Sequence, residues 1–509
     1  MDHLHQRPTA DGDCHRRPRI IIIGAGPGGI CMGIKLLVAG HDDFVILEQA
    51  AGVGGTWWHN RYPGAACDVP SHLYSFSFEI KRDWSSPYAA APEILEYLRQ
   101  CADKYDVTAH VELNTAVTAA CWIEPAHQWR VTTAGGLHYD GDVLIAAQGM
   151  FNQLSWPRLP GLEHFAGTVF HTARWNHQHA LDGERVGIIG SAASAVQCVP
   201  EVAERASHLV MFQRTPNWVL PKKDRAYAVD KLVYFANAPD AVEQNRQRLW
   251  KEFEGFVLLD DADRYQAAVA AGLANIALVK DADVRRKLTP NYAFGCKRVL
   301  LSGKYYQTFN RDNVEVVTAG IEKVTAAGVE TMDGATYALD TLILATGFDV
   351  TRYLSSITVT GRDGRALTTT WDDGAQAYLG ITTAGFPNLF QIYGPNTNKG
   401  SILFMIECQT AYIVRQLARM TDEDLAWIDV RPEVMAAYNA GIQADANRIT
   451  VWAEPCNNYF RHPASGRVVT QYPRNMGQYR LDTVAPDAHA YSVAPRIKAA
   501  PDDRAAGAP

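Results

Sequence analysis

The chain carries one structural unit twice, and this repeat constrains its fold more than any other feature. The first copy, RIIIIGAGPGGICMGIKLLVAGHDDFVILEQ, reads as a β-branched strand over Ile20–Ile23, a loop Gly24-x-Gly26-x-x-Gly29, a helix with apolar residues at Ile30, Ile34, Leu37 and Val38, and a second strand over Phe44–Leu47 that ends at Glu48. The second copy, RVGIIGSAASAVQCVPEVAERASHLVMFQRT, repeats the order: strand Val186–Ile189, loop Gly190-x-Ala192-x-x-Ala195, helix, strand His208–Phe212, and then Gln213-Arg214-Thr215. From Gly24 to Glu48 is 48 − 24 = 24 residues, and from Gly190 to Arg214 is 214 − 190 = 24 residues. Two βαβ openings with one spacing predict an α/β chain with two Rossmann-like dinucleotide-binding domains and two separate nucleotide sites.

Each position in such a loop has a physical task. The first glycine makes the tight turn, the second lets backbone N–H groups approach a pyrophosphate, and the third lets helix and strand pack closely. The helix N-terminus then offers partial positive charge to the phosphates. Gly24, Gly26 and Gly29 fill all three positions in the first copy. In the second, Gly190 keeps the turn while Ala192 and Ala195 replace the other two glycines, which predicts a ligand that sits further off or is held more by Arg214 and other side chains, with Ser191 and Ser194 also expected to bind it. The second-strand ends differ in charge. The Glu48 carboxylate can accept both hydroxyls of an adenosine ribose and would repel a 2′-phosphate, so site one is expected to take FAD or NAD. Arg214 with Thr215 offers a cation and a hydroxyl, which suits the 2′-phosphate of NADPH.

Composition narrows the partners. At 47% hydrophobic and 20% charged, the 509 residues are those of an ordinary globular chain, and the net charge of −7 gives no basic excess to meet nucleic acid. No apolar run reaches the roughly 18 residues of a spanning helix. Arg16, Arg17 and Arg19 before Ile20–Ile30 imitate a targeting signal, but the glycine loop breaks the run. The nine cysteines include no CxxC, which argues against a disulfide reductase or a zinc ribbon and for reduced thiols in a cytoplasmic protein. His177 and His179 lack the companions of a metal site, and Cys67 has no base spaced to activate it, so no metal is expected.

Further motifs carry a family resemblance: Gly54–Phe78 (GGTWWHNRYPGAACDVPSHLYSFSF), Phe165-x-Gly167-xxx-His171-xxx-Trp175, FQRTPNW, FGCKRVLLSGKYY, LILATGFD and FPNLFQIYGPNT. This set, in this order over about residues 18–480, resembles the class B flavoprotein monooxygenases and, more narrowly, the type I Baeyer–Villiger monooxygenases. Asn176 stands where that fingerprint continues with Pro or Asp, and Ala66 where cyclohexanone-type members show Arg, so heteroatom oxygenation at sulfur or nitrogen stays open as the alternative.

The resemblance implies an FAD domain in two pieces (18–150 and 346–484), an NADPH domain in two pieces (151–220 and 295–345) and a helical insert over 221–294, while the polar, irregular residues 1–17 and the Ala/Pro-rich residues 485–509 read as flexible tails. It implies that NADPH reduces FAD, that O₂ adds to give a C4a-peroxyflavin, and that a ketone becomes an ester or lactone. Arg298 matches the family's catalytic arginine, a permanent cation for the developing oxyanion, and Asp68 the acid that holds it. Lys297 would help hold the NADPH phosphate or ribose, Thr56 and Trp57 would line the flavin nucleotide, and Tyr74 would sit near the flavin. His171 and Trp175 would order the linker between domains. For a late aromatic on the nicotinamide, Trp452 and Tyr472 are both candidates.

Overall fold

The computed structural model describes residues 16–257, 261–453 and 458–496. Its frame is two five-stranded, wholly parallel sheets. At the centre of the first lies β1 (Ile20–Ile23), whose four isoleucines are buried. Helix α1 (Pro27–Val38) crosses to β2 (Phe44–Leu47), which pairs with β1 in register from Ile20↔Phe44 to Ile23↔Leu47. On β1's other side lies Val143–Ala146, then Leu389–Gln391, while Val111–Glu112 closes the far edge beyond β2. The second sheet repeats the plan with β3 (Arg185–Ile189), α2 (Ala193–Ala203) and β4 (His208–Phe212), flanked by Val314–Val317 beyond β4 and by Thr341–Leu344 and then Thr168–His171 beyond β3. Strands buried on both faces read as continuous aliphatic runs, which is why IIII and GII were legible as parallel strands. In each sheet the strand that enters the glycine loop, β1 or β3, has later strands on both sides, and the crevice beyond the strand ends at such a switch point is where ligands bind in open α/β sheets.

Four helices, Val229–Asn237, Pro239–Val257, Ala262–Ile276 and Ala282–Leu288, fill the segment between the two-residue strands Val219–Leu220 and Leu300–Leu301. Those strands pair in parallel and so tie the two ends of the helical segment together.

Two expectations need correction. The chain from 485 is not a loose tail throughout. Tyr491–Pro495 forms a strand antiparallel to Leu425–Val430, and the Tyr412 hydroxyl donates to Asp487 at 2.5 Å and meets the Tyr491 hydroxyl at 2.5 Å. An Ala/Pro-rich composition concealed this because the anchor is a buried polar network and not an apolar stripe. Arg16, placed in the N-terminal tail, reaches Asp142 at 3.1 Å. Residues 1–15 and 497–509 of the expected tails lie outside the described residues. The thiols are also not uniformly reduced: Cys31, Cys67, Cys101, Cys121, Cys198 and Cys408 are free, but Cys296 is disulfide-bonded. A CxxC search detects only local pairing, whereas a disulfide needs proximity in space. Among the described residues no helix is long and apolar enough to cross a membrane, and no acid, histidine and thiol cluster could hold a metal ion.

Candidate active site

Both glycine loops open into one cavity of about 1510 Å³. Gly24 and Gly190 adopt positive φ, +100° and +118°, at equivalent turns. Neither α1 nor α2 has a side-chain cap or an acidic residue in its first turn, so free backbone N–H groups of two helices face the cavity. A Cβ on Gly55 would approach Gly26 Cα to 2.7 Å, so two glycine stretches meet at the cavity floor and leave a cradle of bare backbone. The arrangement suits two pyrophosphates. Gly29 does not line the cavity; its place is behind the loop, where a Cβ would lie 1.9 Å from the Gly24 carbonyl oxygen.

Glu48 lies at the end of β2, buried, with Oε2 accepting from the Ala25 N–H at 2.7 Å and Oε1 from the Ala50 N–H at 2.8 Å. Burial pushes its pKa up against those two hydrogen bonds. Each oxygen retains a lone pair for a ribose hydroxyl. Thr56 begins the short helix Thr56–His59, and the Trp57 indole N–H donates to the Tyr74 hydroxyl at 3.0 Å, with all three residues on the cavity wall. Across the cavity, Ser191 Oγ donates to the Thr215 carbonyl at 2.7 Å and fastens the second loop to the end of β4. Ser194 lines the wall from the first turn of α2, and Arg214 and Thr215 line it from beyond β4, with Arg214 exposed to the cavity. Lys297 reaches the same side with its ammonium 4.8 Å from the Tyr292 ring centre, and partial burial and the Arg214 charge both lower its pKa.

Arg298 stands between the two sides. Its Nε and Nη2 both donate to Asp68 Oδ2, at 3.2 and 2.5 Å. The side chains are 36% and 28% exposed, and both line the cavity. Burial alone would raise the Asp68 pKa; the Arg298 charge prevails and holds it below the usual carboxylate range. The Asp68 charge in turn lifts Arg298 further above its ordinary value, so the guanidinium is a cation at every working pH. Cys67 beside it is a buried thiol pushed up to about 12 by desolvation, which suits packing and not nucleophilic chemistry.

A model of the pyridine nucleotide-disulphide oxidoreductase family matches residues 21–234. A Baeyer–Villiger monooxygenase of Pseudomonas aeruginosa is 40% identical over 485 residues, covering 94% of this chain and 91% of that protein. The chain belongs to the Baeyer–Villiger monooxygenase family. Among solved structures, cyclohexanone monooxygenase from Rhodococcus sp. Phi1 bound to NADP+ superposes with a TM-score of 0.85 at 32% identity, covering 94% of this chain and 99% of that one. OTEMO in complex with FAD and NADP gives 0.84 at 29% identity, covering 94% and 100%.

Several sequence expectations of this Baeyer–Villiger chain fall elsewhere in space. Neither Trp452 nor Tyr472 lines the cavity: Trp452 packs with Phe460 and Val468, and Tyr472 with Tyr479 and Met476. Tyr459 and Tyr393 line it instead. Tyr393 has φ +60°, a conformation that aromatic residues rarely adopt, held by its N–H on Gln409 Oε1 at 2.8 Å and its hydroxyl on Asn398 at 2.9 Å. His171 and Trp175, expected to order the linker between domains, lie off the cavity: the His171 ring accepts from the Ala173 N–H and Trp175 packs edge-on against Phe170. Asn176 Oδ1 accepts from the Gln178 N–H at 3.1 Å, a turn-forming contact that an aspartate could also make. His179 is bound to Thr341 Oγ1 at 2.7 Å and to Glu184 at 3.0 Å.

Proposed function

We propose that this protein is an NADPH- and O₂-dependent flavoprotein monooxygenase that inserts one oxygen atom beside a ketone carbonyl, giving an ester or lactone. FAD would rest on the first glycine loop and NADPH on the second. Bound there, the two cofactors supply the reducing equivalents and the activated oxygen. The observation that carries the reading is the Arg298–Asp68 pair in the one cavity that both loops share.

The remaining roles belong to the chain. Glu48 binds the ribose hydroxyls of the resident nucleotide, with Gly24, Gly26 and the N-terminus of α1 on its pyrophosphate. Thr56, Trp57 and Tyr74 shape the wall beside it, the indole–phenol hydrogen bond fixing both rings. Gly190, Ser191, Ser194 and the N-terminus of α2 receive the second pyrophosphate, and Arg214, Thr215 and Lys297 its 2′-phosphate side. Arg298 stabilises negative charge that develops on oxygen. A guanidinium serves better than an ammonium here because it stays charged and holds a fixed fork. Asp68 aims that fork and is a poor proton acceptor, because the Arg298 charge holds its pKa below the usual carboxylate range. Among the described residues six free thiols support a cytoplasmic setting, and the Cys296 disulfide tells against a wholly reduced chain.

The test is a panel of ketones and thioethers with NADPH and isotopically labelled O₂, read by product mass. Ester or lactone with one labelled oxygen is expected. Sulfoxides alone would replace this reading with heteroatom oxygenation.

A further inference from the structure

Arg298 and Asp68 together are electrically neutral, and a neutral pair is a weak stabiliser of an oxyanion. The fold supplies a further cation. Lys222, two residues beyond the strand Val219–Leu220, is only 9% exposed. Its ammonium donates to the Cys67 carbonyl at 3.0 Å, the peptide that leads directly into Asp68, and lies 5.0 Å from the Tyr88 ring centre. A buried ammonium with neutral partners of this kind needs a counter-charge. Burial lowers the Lys222 pKa, and the groups that oppose this are Asp224, then Cys67, then Asp68. Asp224 is exposed, so water screens it, whereas Asp68 is only partly exposed and follows directly on the Cys67 carbonyl that Lys222 holds. The ionisable groups facing Asp68 are Arg298, Lys222, Cys67, Tyr62, Tyr74 and Tyr88, of which the first two are cations.

We propose that Lys222 is a positioning residue of the oxygenation centre: it anchors the Cys67–Asp68 peptide from the neighbouring domain and leaves the Asp68–Arg298–Lys222 cluster with a net positive charge. The inference rests on the assignment of Asp68 and Arg298 given above. Its consequence is a division of labour. Arg298 presents charge to the cavity, and Lys222 offsets the Asp68 charge from behind, so the guanidinium's field is not cancelled by its own partner.

The test uses the full-length flavin-loaded protein and three variants: Lys222→Met, Lys222→Arg and Asp68→Asn. Two properties are read, the pH profile of product formation and the pH dependence of the melting temperature. Asp68 is held low by two cations, so the stability it contributes is present above the unfolded carboxylate value and is lost as pH falls through the folded one. Removing one cation should move that acid limb upward by about one pH unit, in stability and in product formation alike. Lys222→Met should also lower kcat about tenfold, with flavin content and the KM for NADPH kept. Lys222→Arg should restore both the limb and the rate. A Lys222→Met limb that stays at the wild-type pH, or a loss that Lys222→Arg does not rescue, overturns the proposal. If Asp68→Asn itself keeps full ester formation, it is the assignment of Asp68 that fails, whatever Lys222 does.

Discussion

The two glycine loops share one backbone path yet are finished differently. In the first, Gly29 is packed so closely that no side chain fits, and the acidic end, Glu48, is buried with each oxygen tied to a backbone N–H. In the second, alanines stand at the middle and third positions, and the basic end, Arg214, is exposed to the cavity. The first is a closed, prebuilt seat. The second offers an exposed Arg214 and a part-buried Lys297 on the cavity wall, and holding an exposed side chain on a ligand costs entropy. The difference fits a resident prosthetic group at one loop and a dissociable co-substrate at the other.

The comparison breaks most visibly at the third position. Gly29→Ala forces a methyl to within 1.9 Å of a carbonyl oxygen, so helix α1 must move. The expected outcome is colourless protein and a loss of more than about 3 kcal/mol in denaturant unfolding. Ala195→Gly, the mirror change, should cost only about 1 kcal/mol, the usual helix penalty, and keep the flavin. Equal costs at the two sites would erase the asymmetry.

Next in size is Arg298→Ala. With the cation gone, ester formation should fall at least about 100-fold while flavin stays bound and reducible by NADPH. An ester yield near wild type would remove Arg298 from the chemistry. The pH profile gives a second check. Because Asp68 is held below its ordinary value of about 3.9, the pair stays intact above that pH and should cause no loss of activity there; a decline attributable to Asp68 at neutral pH would contradict the ion pair.

At the other end of the second unit, Arg214→Ala should raise the KM for NADPH by about tenfold or more and leave the KM for NADH nearly unchanged. Parallel changes in both would mean that Arg214 does not read the 2′-phosphate and that the contrast with Glu48 is only one of charge.

How much of this was legible beforehand follows a physical divide. The paired strands, loops and helices were readable because burial on both faces of a parallel strand leaves a continuous aliphatic run, and because positive φ at a tight turn selects glycine, as at Gly24 and Gly190. The motif residues Asp68, Lys297 and Arg298 were readable through resemblance, and they meet around one cavity. What could not be read is whatever depends on segments distant in sequence. Tyr459 and Tyr393 reach the cavity by tertiary packing with no periodic signal. Lys222 sits in a Pro-Lys-Lys-Asp run that looks like surface charge, and only its depth and its bond to Cys67 give it meaning. The strand Tyr491–Pro495 was concealed by an Ala/Pro-rich context, since its anchor is a set of buried hydroxyls around Asp487.

The smallest effect tests the least obvious part of the comparison, whether Ala192 impairs the second loop. Gly26 has φ −76° and ψ −171°, and Ala192 has φ −86° and ψ −160°. Both are extended conformations open to any residue, so the middle position needs glycine for space and not for backbone freedom. Ala192 is exposed and lines the cavity, which places its methyl at the ligand surface rather than in the core. A ligand that seats itself on Arg214 and Lys297 can stand off by the width of a methyl. Ala192→Gly should therefore change the Kd for NADPH by no more than about twofold, within the range usual for an exposed substitution. Tightening by tenfold or more in a binding titration would show that the methyl obstructs the pyrophosphate. The second loop would then be a damaged copy of the first and not one adapted to a ligand that leaves.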